Sequence, residues 1–481
     1  MPEIDPAAMA ANAARYQDLD GEPWNGLFVR SQVQVTFDSP QATGHRMTPF
    51  EVAHAYGKEA LAKIVEDGGF PIVRSTGEPA HTLKRQRKTL GLTIAQVAKE
   101  SGMPEAAVIA GETAGMLNPV RDLERLAQQL GLDERRIGLE LETGGAGELG
   151  TRLKRCMHPK DKSSIALSPP TVLKLAEAAW VIARQAEFET LSSPGLSSEP
   201  ATRPPAEPLF PGPAWKQGYD LAHRTRDLFG LDSEAPVPSV RSLLSEQNAI
   251  PLLTLEMGTN VAGATLANGR DRGIVVNAAG PNQNVWVRRT TAAHELCHLL
   301  WDLDENLDRL RVDSYDFLEA GFRSHPSDRI EQRANAFAVE FLAPQRGILR
   351  LVKAATSREE ALSRISHYYG ISISAASYHL DNANPGNPAL YNEARLSAQP
   401  GNDWRVAEDF DLDFFPMMST PYARRGRFAQ LVAHAVEAGR LTPDSGALLL
   451  AVPLEEFKQG LDGLLQLGRR KLDSTRVELL D

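Results

Sequence analysis

The chain has 481 residues, of which 42% are hydrophobic, 24% charged and 6% aromatic, and 52 basic against 62 acidic side chains give a net charge of -10. That length suits about two to four domains and excludes disorder of the whole, while the acidic balance excludes non-specific nucleic-acid binding as the role of the entire chain. Two cysteines, Cys156 and Cys297, are too few for a disulfide framework. No run approaches the ~18 consecutive apolar residues of a membrane span and the first residues lack the apolar core of a signal peptide, so a cytoplasmic protein without membrane contact is expected.

Residues 1–80 predict a strand over Ser31–Phe37 and a helix over Pro49–Glu66, with no recognisable chemistry. Residues 81–140 space their apolar side chains for four short helices, Leu83–Leu90, Thr93–Ser101, Pro104–Glu112 and Val120–Leu130. With Ile94, Ala95, Val97, Ala98 and Gly102 at the scaffold positions, this segment resembles the Xre-type helix-turn-helix. The resemblance implies DNA as a partner, and Lys84, Arg85, Arg87 and Lys88 are the candidates for holding phosphates. The reading positions carry Pro104, Glu105, Ala106, Ala107 and Ala110, which offer base edges little to bond, so protein docking or dimerisation by the same scaffold stays open.

Residues 141–191 read as a helical extension, with Val172, Leu175, Ala176, Ala179 and Ile182 near one face after the Pro169, Pro170 pair. Residues 192–213, SSPGLSSEPATRPPAEPLFPGP, read as a Pro/Ser-rich linker. From 214 to 385, GATLAN and RGIVVN alternate with WVRRTTAAHELCHLLW and IEQRANAFAVEFLAP, an α+β pattern with one small sheet. Residues 386–481 predict a helical C-terminal region with a role in regulation or assembly.

The chemistry concentrates at residues 294–298, His294, Glu295, Leu296, Cys297 and His298, an HExxH. A step of four residues returns to within ~40° on an α-helix, so both imidazoles project from one face and can share one cation. Glu295 lies beside that face, where a carboxylate can take the proton of a water activated by the metal. Ala292, Ala293, Leu296, Leu299, Leu300 and Trp301 make the helix a buried one, in which an unpaired His-Glu-His cluster would be desolvated without compensation. Glu331 is the candidate third ligand, on a second helix whose Ala334 and Ala338 keep its inner face small, and Pro344 ends that helix. Cys297 is expected to face the core rather than the metal.

RRTTAAHELCHLLWD followed by RIEQRANAFAVEFLAP resembles the ImmA/IrrE family of metallopeptidases over roughly residues 240–385. The resemblance implies a zincin-like fold in which His294, His298 and Glu331 bind zinc or manganese and Glu295 is the base. A group that polarises the scissile carbonyl is also implied, with His367, Tyr368, Tyr369, Tyr378 and His379 as downstream candidates. The expected architecture is thus multidomain: a mostly α helix-turn-helix N-terminal region, an α+β metallopeptidase domain with a small sheet, and a helical C-terminal region.

What the resemblances imply together is a cytoplasmic regulatory metallo-endopeptidase that cuts a specific protein, a repressor or antitoxin. The competing readings are a DNA-binding transcriptional regulator whose peptidase-like domain senses a ligand or partner without proteolysis, and an antitoxin or immunity component whose modules both bind proteins. The intact HExxH favours the first, since a sensor has no need of a base. Oligomerisation stays open. An extended substrate is expected to add a strand to a sheet edge within Gly263–Asn277, the strand-rich segment nearest the motif.

Overall fold

The computed structural model describes residues 26–139, 149–153, 157, 166–192, 212–268, 271–302, 311–314, 329–383 and 399–469. The chain divides into two compact units, one of residues 1–158, 167–188 and 415–469 and the other of residues 159–166, 189–414 and 470–481. Most of the proline-rich stretch at 192–213, together with Cys156 and His158, lies outside the described residues.

The first unit opens with a four-stranded antiparallel sheet, β1 (Phe28–Arg30), β2 (Gln34–Phe37), β3 (His45–Met47) and β4 (Gly69–Pro71), in the order β3-β1-β2-β4. Only β2 falls within the expected strand at 31–37; the others, at three residues each, are too short to show a period in the sequence. The expected helix at 49–66 is two helices, α1 (Pro49–Tyr56) and α2 (Lys58–Asp67). A Thr48/Glu51 capping box starts the first. Gly57, at φ +89°, ends it in a conformation that suits glycine. Four short helices follow, α3 (Ala80–Leu90), α4 (Ile94–Ser101), α5 (Glu105–Gly111) and α6 (Val120–Gln129), and then the long α7 (Pro169–Ser192).

The second unit begins with α8 (Ala214–Leu228) and builds a sheet from β5 (Leu252–Leu255), β6 (Val261–Asn268), β7 (Asp271–Asn277) and β8 (Arg311–Ser314), in the order β5-β7-β6-β8. β5 runs parallel to β7, and β6 is antiparallel to both β7 and β8. This overturns one expectation. Both strands of 263–277 are interior, and the edges are Leu252–Leu255 and Arg311–Ser314. Neither edge strand exceeds four residues, too short to show a period of its own.

On this sheet lies α9 (Val285–Trp301), the helix of the HExxH, packed against β6 and β7. Beside it runs α10 (Arg329–Leu342), which also packs on α8. Helices α11 (Gln345–Lys353), α12 (Arg358–Tyr369), α13 (Ile373–Ala383) and α14 (Asn402–Asp413) complete the unit. The expected single C-terminal region is divided: α14 belongs with the peptidase-like segment, whereas α15 (Arg427–Glu437), α16 (Pro443–Leu449) and α17 (Leu454–Arg469) belong to the first unit.

There the C-terminal helices join the N-terminal sheet through a buried polar chain. His45 on β3 lies 2.7 Å from Glu124 on α6 and 2.8 Å from the Ser445 hydroxyl on α16, and Ser445 also pairs with Glu51 on α1. Serine, histidine and acid stand in the order of a catalytic triad, yet all are buried and the hydroxyl is taken up by Glu51, so no substrate reaches it. The chain ties segments about 400 positions apart into one body.

In the second unit the N-terminal half of α9 is anchored by Arg289, which is buried. Its guanidinium pairs with Glu408 of α14, donates to the carbonyls of Val237 at 2.6 Å and Gly370 at 3.1 Å, and lies 4.3 Å from the Trp404 ring. Glu408 in turn accepts the backbone N–H groups of Val240 at 2.8 Å and Arg241 at 3.1 Å. Breaking a buried pair strands the remaining charge, so Glu408→Ala should lower the opening free energy of Val285–Trp301 by about 3–5 kcal/mol, read by hydrogen exchange. Unchanged protection of that helix would show that the pair does not anchor it.

Candidate metal centre

The motif helix starts at Asn284, whose side chain accepts the Trp286 N–H at 2.9 Å, and ends at Asp302, so His294 and His298 fall in its buried C-terminal half. Their Nε2 atoms face each other at 2.9 Å. Glu331, in the first turn of α10, brings one carboxylate oxygen to 3.2 Å from His294 Nε2 and 3.6 Å from His298 Nε2. These three side chains converge as a set that can hold a metal ion, and Glu295 stands outside the set.

The donor set fits a divalent ion by chemistry and by size. Two neutral imidazoles and a carboxylate are the nitrogen and oxygen ligands zinc accepts, and ligands about 2.0–2.1 Å from a tetrahedral ion lie roughly 3.3 Å from one another. The three separations here, 2.9, 3.2 and 3.6 Å, bracket that value.

Each imidazole is held from behind. His298 Nδ1 lies 3.0 Å from Asp302 Oδ2, and since an ionised carboxylate only accepts, Nδ1 carries the proton and Nε2 keeps its lone pair for the shared point. The second oxygen of Asp302 pairs with Arg333 of α10, which balances its charge in the interior. His294 Nδ1 lies 2.9 Å from the side-chain oxygen of Asn335, one turn beyond Glu331 on the same helix. α10 therefore supplies the third ligand and supports for both of the others. Glu331 retains 10% side-chain exposure against 1% for His294 and none for His298.

Glu295 points toward the sheet. Thr265 of β6 donates its hydroxyl to Glu295 Oε2 at 2.7 Å and also lies 3.1 Å from the Glu295 carbonyl oxygen. Cys297 turns into the hydrophobic core, where burial pushes its thiol up to about 11, and it is not one of the three converging side chains. Among the downstream candidates for polarising a carbonyl, the His379 ring lies between Tyr219 and the Ala343 carbonyl, at 2.7 Å from each, and the Tyr369 hydroxyl donates to the Glu234 carbonyl at 2.8 Å. His367 Nδ1 is held by the Ser363 carbonyl at 2.9 Å.

Residues 263–381 match the family model described as an IrrE N-terminal-like domain, of the class Peptidase M78. The match spans β6, the motif helix and the Glu331 helix, and it supports a metallopeptidase-like function for this segment. No curated protein matches the chain.

The basic quartet of the first unit is only partly a surface. Lys84, Arg85 and Lys88 are exposed on α3 and, with His81, Thr89 and Thr151, line an open groove. Arg87 turns inward instead, its guanidinium bonded to both oxygens of Glu112 at 2.6 and 2.7 Å and to the Leu92 carbonyl at 2.7 Å. A buried bidentate pair joining α3 to the end of α5 is a structural use of the charge, and it removes Arg87 from any phosphate-binding set.

The supports Asp302, Arg333 and Asn335 escaped the sequence reading, although Asp302 follows His298 by four residues and Asn335 follows Glu331 by four, the spacing that shares a helix face. Replacing Asn335 with leucine or Asp302 with asparagine, which keeps an oxygen toward Arg333, should weaken zinc affinity by about 10–100-fold while the fold persists. Competition against a chromophoric chelator measures this, and undiminished affinity in both variants would show that the imidazoles need no such support.

Proposed function

We propose that the second unit is a zinc-dependent metallo-endopeptidase, with manganese as the alternative ion, and that the chain acts in regulation by cutting a specific protein such as a repressor or antitoxin. The observation that carries this reading is the buried convergence of His294, His298 and Glu331 next to a separate carboxylate, Glu295, within a segment that matches a peptidase family model. When bound, zinc supplies Lewis-acid polarisation of a carbonyl and a water acidified to about pKa 7. His294, His298 and Glu331 would hold the ion. Glu295 takes the proton of the attacking water and returns it to the leaving amine. The dry surroundings strengthen each of these interactions.

An extended substrate bound by strand addition has Leu252–Leu255 and Arg311–Ser314 as the available edges, the second of them hydrogen-bonded to the strand that carries Thr265. A folded partner would then be cut in an exposed loop or linker. For the first unit we propose that the α3–α6 module is a helix-turn-helix scaffold, with Lys84, Arg85 and Lys88 as its cationic surface toward DNA. A protein partner for the same module is favoured by α5 and the turn after it, where Ala106, Ile109, Met116 and Leu117 are exposed and apolar.

Incubating the zinc-loaded full chain with a lysate and sequencing new protein N-termini tests the proposal. Discrete new termini should appear with the unchanged chain and fall by about 10²–10⁴-fold with Glu295→Gln, which keeps the ligands but cannot accept a proton. Equal cutting by both would move the base elsewhere. Zinc binding with no cutting by either would favour the reading in which the domain senses a partner without proteolysis.

A further inference from the structure

We infer that Thr265 is a positioning residue that keeps the Glu295 carboxylate out of the metal's ligand shell, and that Gly263 provides the room this needs; the inference rests on the metallopeptidase reading above. A catalytic centre of this kind works only while one position stays open. Glu295 is a carboxylate outside the ligand set that could close it. It is buried, and it follows the ligand His294 directly in the chain. In a dry site the attraction between a divalent cation and a nearby anion is strong, so an unrestrained carboxylate would be drawn in as a fourth ligand.

Two features of β6 oppose this. The Thr265 hydroxyl donates to Glu295 Oε2 at 2.7 Å, bonding the carboxylate to the sheet. Two residues earlier, on the same face of the strand, a Cβ at Gly263 would stand 2.7 Å from Glu295 Oε1 and 3.0 Å from both the Thr291 methyl and the Val275 carbonyl oxygen. Only a residue without a side chain leaves that oxygen its place. β6 cannot shift readily to relax either contact, because it is paired on both sides: Thr265 is opposite Ile274 of β7 and Arg311 of β8, and it is itself buried. The threonine is also β-branched, with a restricted χ1, which fixes the direction of its hydroxyl. One oxygen is thus held by a bond and the other accommodated by a gap, both on an interior strand.

The test uses the full chain with cobalt(II) in place of zinc, because cobalt's visible absorption responds to the identity and geometry of its ligands. Thr265→Val preserves shape and removes the donor. Its cobalt spectrum should shift relative to the unchanged chain as the carboxylate takes the open position in place of water, and its cobalt affinity should hold or rise. Loss of mere structural support would do the reverse, lowering affinity by about 10–100-fold. Thr265→Ser, which keeps the hydroxyl, should restore the original spectrum. If the valine variant fails to fold by circular dichroism, Gly263→Ala displaces the same carboxylate from its other oxygen and should change the spectrum in the presence of Thr265.

A Thr265→Val protein that binds cobalt with the spectrum and affinity of the unchanged chain overturns the inference and leaves the metallopeptidase reading intact. If the unchanged chain itself takes up no cobalt, the metallopeptidase reading fails and this inference with it.

Discussion

Two imidazole nitrogens 2.9 Å apart in a buried site, both with their other nitrogen engaged, are the constraint on which the second unit is organised. Facing lone pairs repel unless positive charge lies between them, so the fold must hold them together. It does so through Asp302, fixed by Arg333, and through Asn335. Both of these supports come from or are fixed by the helix that carries Glu331. The packing of α9 against α10 therefore sets three ligand atoms at once, and a displacement of either helix would disturb all of them.

The rest of the unit holds the motif helix in place. Arg289 and Glu408 satisfy each other and six backbone groups between them, which accounts for a full charge being kept in the interior. The sheet acts differently, because β6 both supports the helix and presents Thr265 and Gly263 to Glu295. Ligand and base are thus positioned by separate elements, the ligands by α10 and the base by β6. On the proposed reading, this separation would let one carboxylate hold the metal while another, next to a ligand in the chain, moves protons.

The centre was legible because its chemistry demands fixed spacing on helices: His294, Glu295 and His298 are set by one turn, and Glu331 by the small residues that let two helices approach. The spacing of apolar side chains also predicted the four helices of 81–140 closely. Asn335 and Asp302 carry a local signal, four residues from Glu331 and His298, that the reading did not follow, whereas Thr265 acts through a contact 30 positions away that no local pattern announces, and Arg87 was misread because one basic residue in a run looks like the next until its partner, 25 positions away, is known. The short strands failed for a related reason. Runs of three or four residues at β1, β3, β4, β5 and β8 are made by pairing across the sheet rather than by their own periodicity.

X-ray absorption of the full chain loaded with zinc reads the ligands themselves, and so tests the central claim most directly. The account predicts one ion per chain in a shell of nitrogen and oxygen at about 2.0–2.1 Å, with two imidazoles resolved by their outer-shell scattering and lost one at a time in His294→Ala and His298→Ala. A sulfur scatterer at about 2.3 Å, which would place Cys297 on the metal, or a spectrum indifferent to both substitutions, would contradict it.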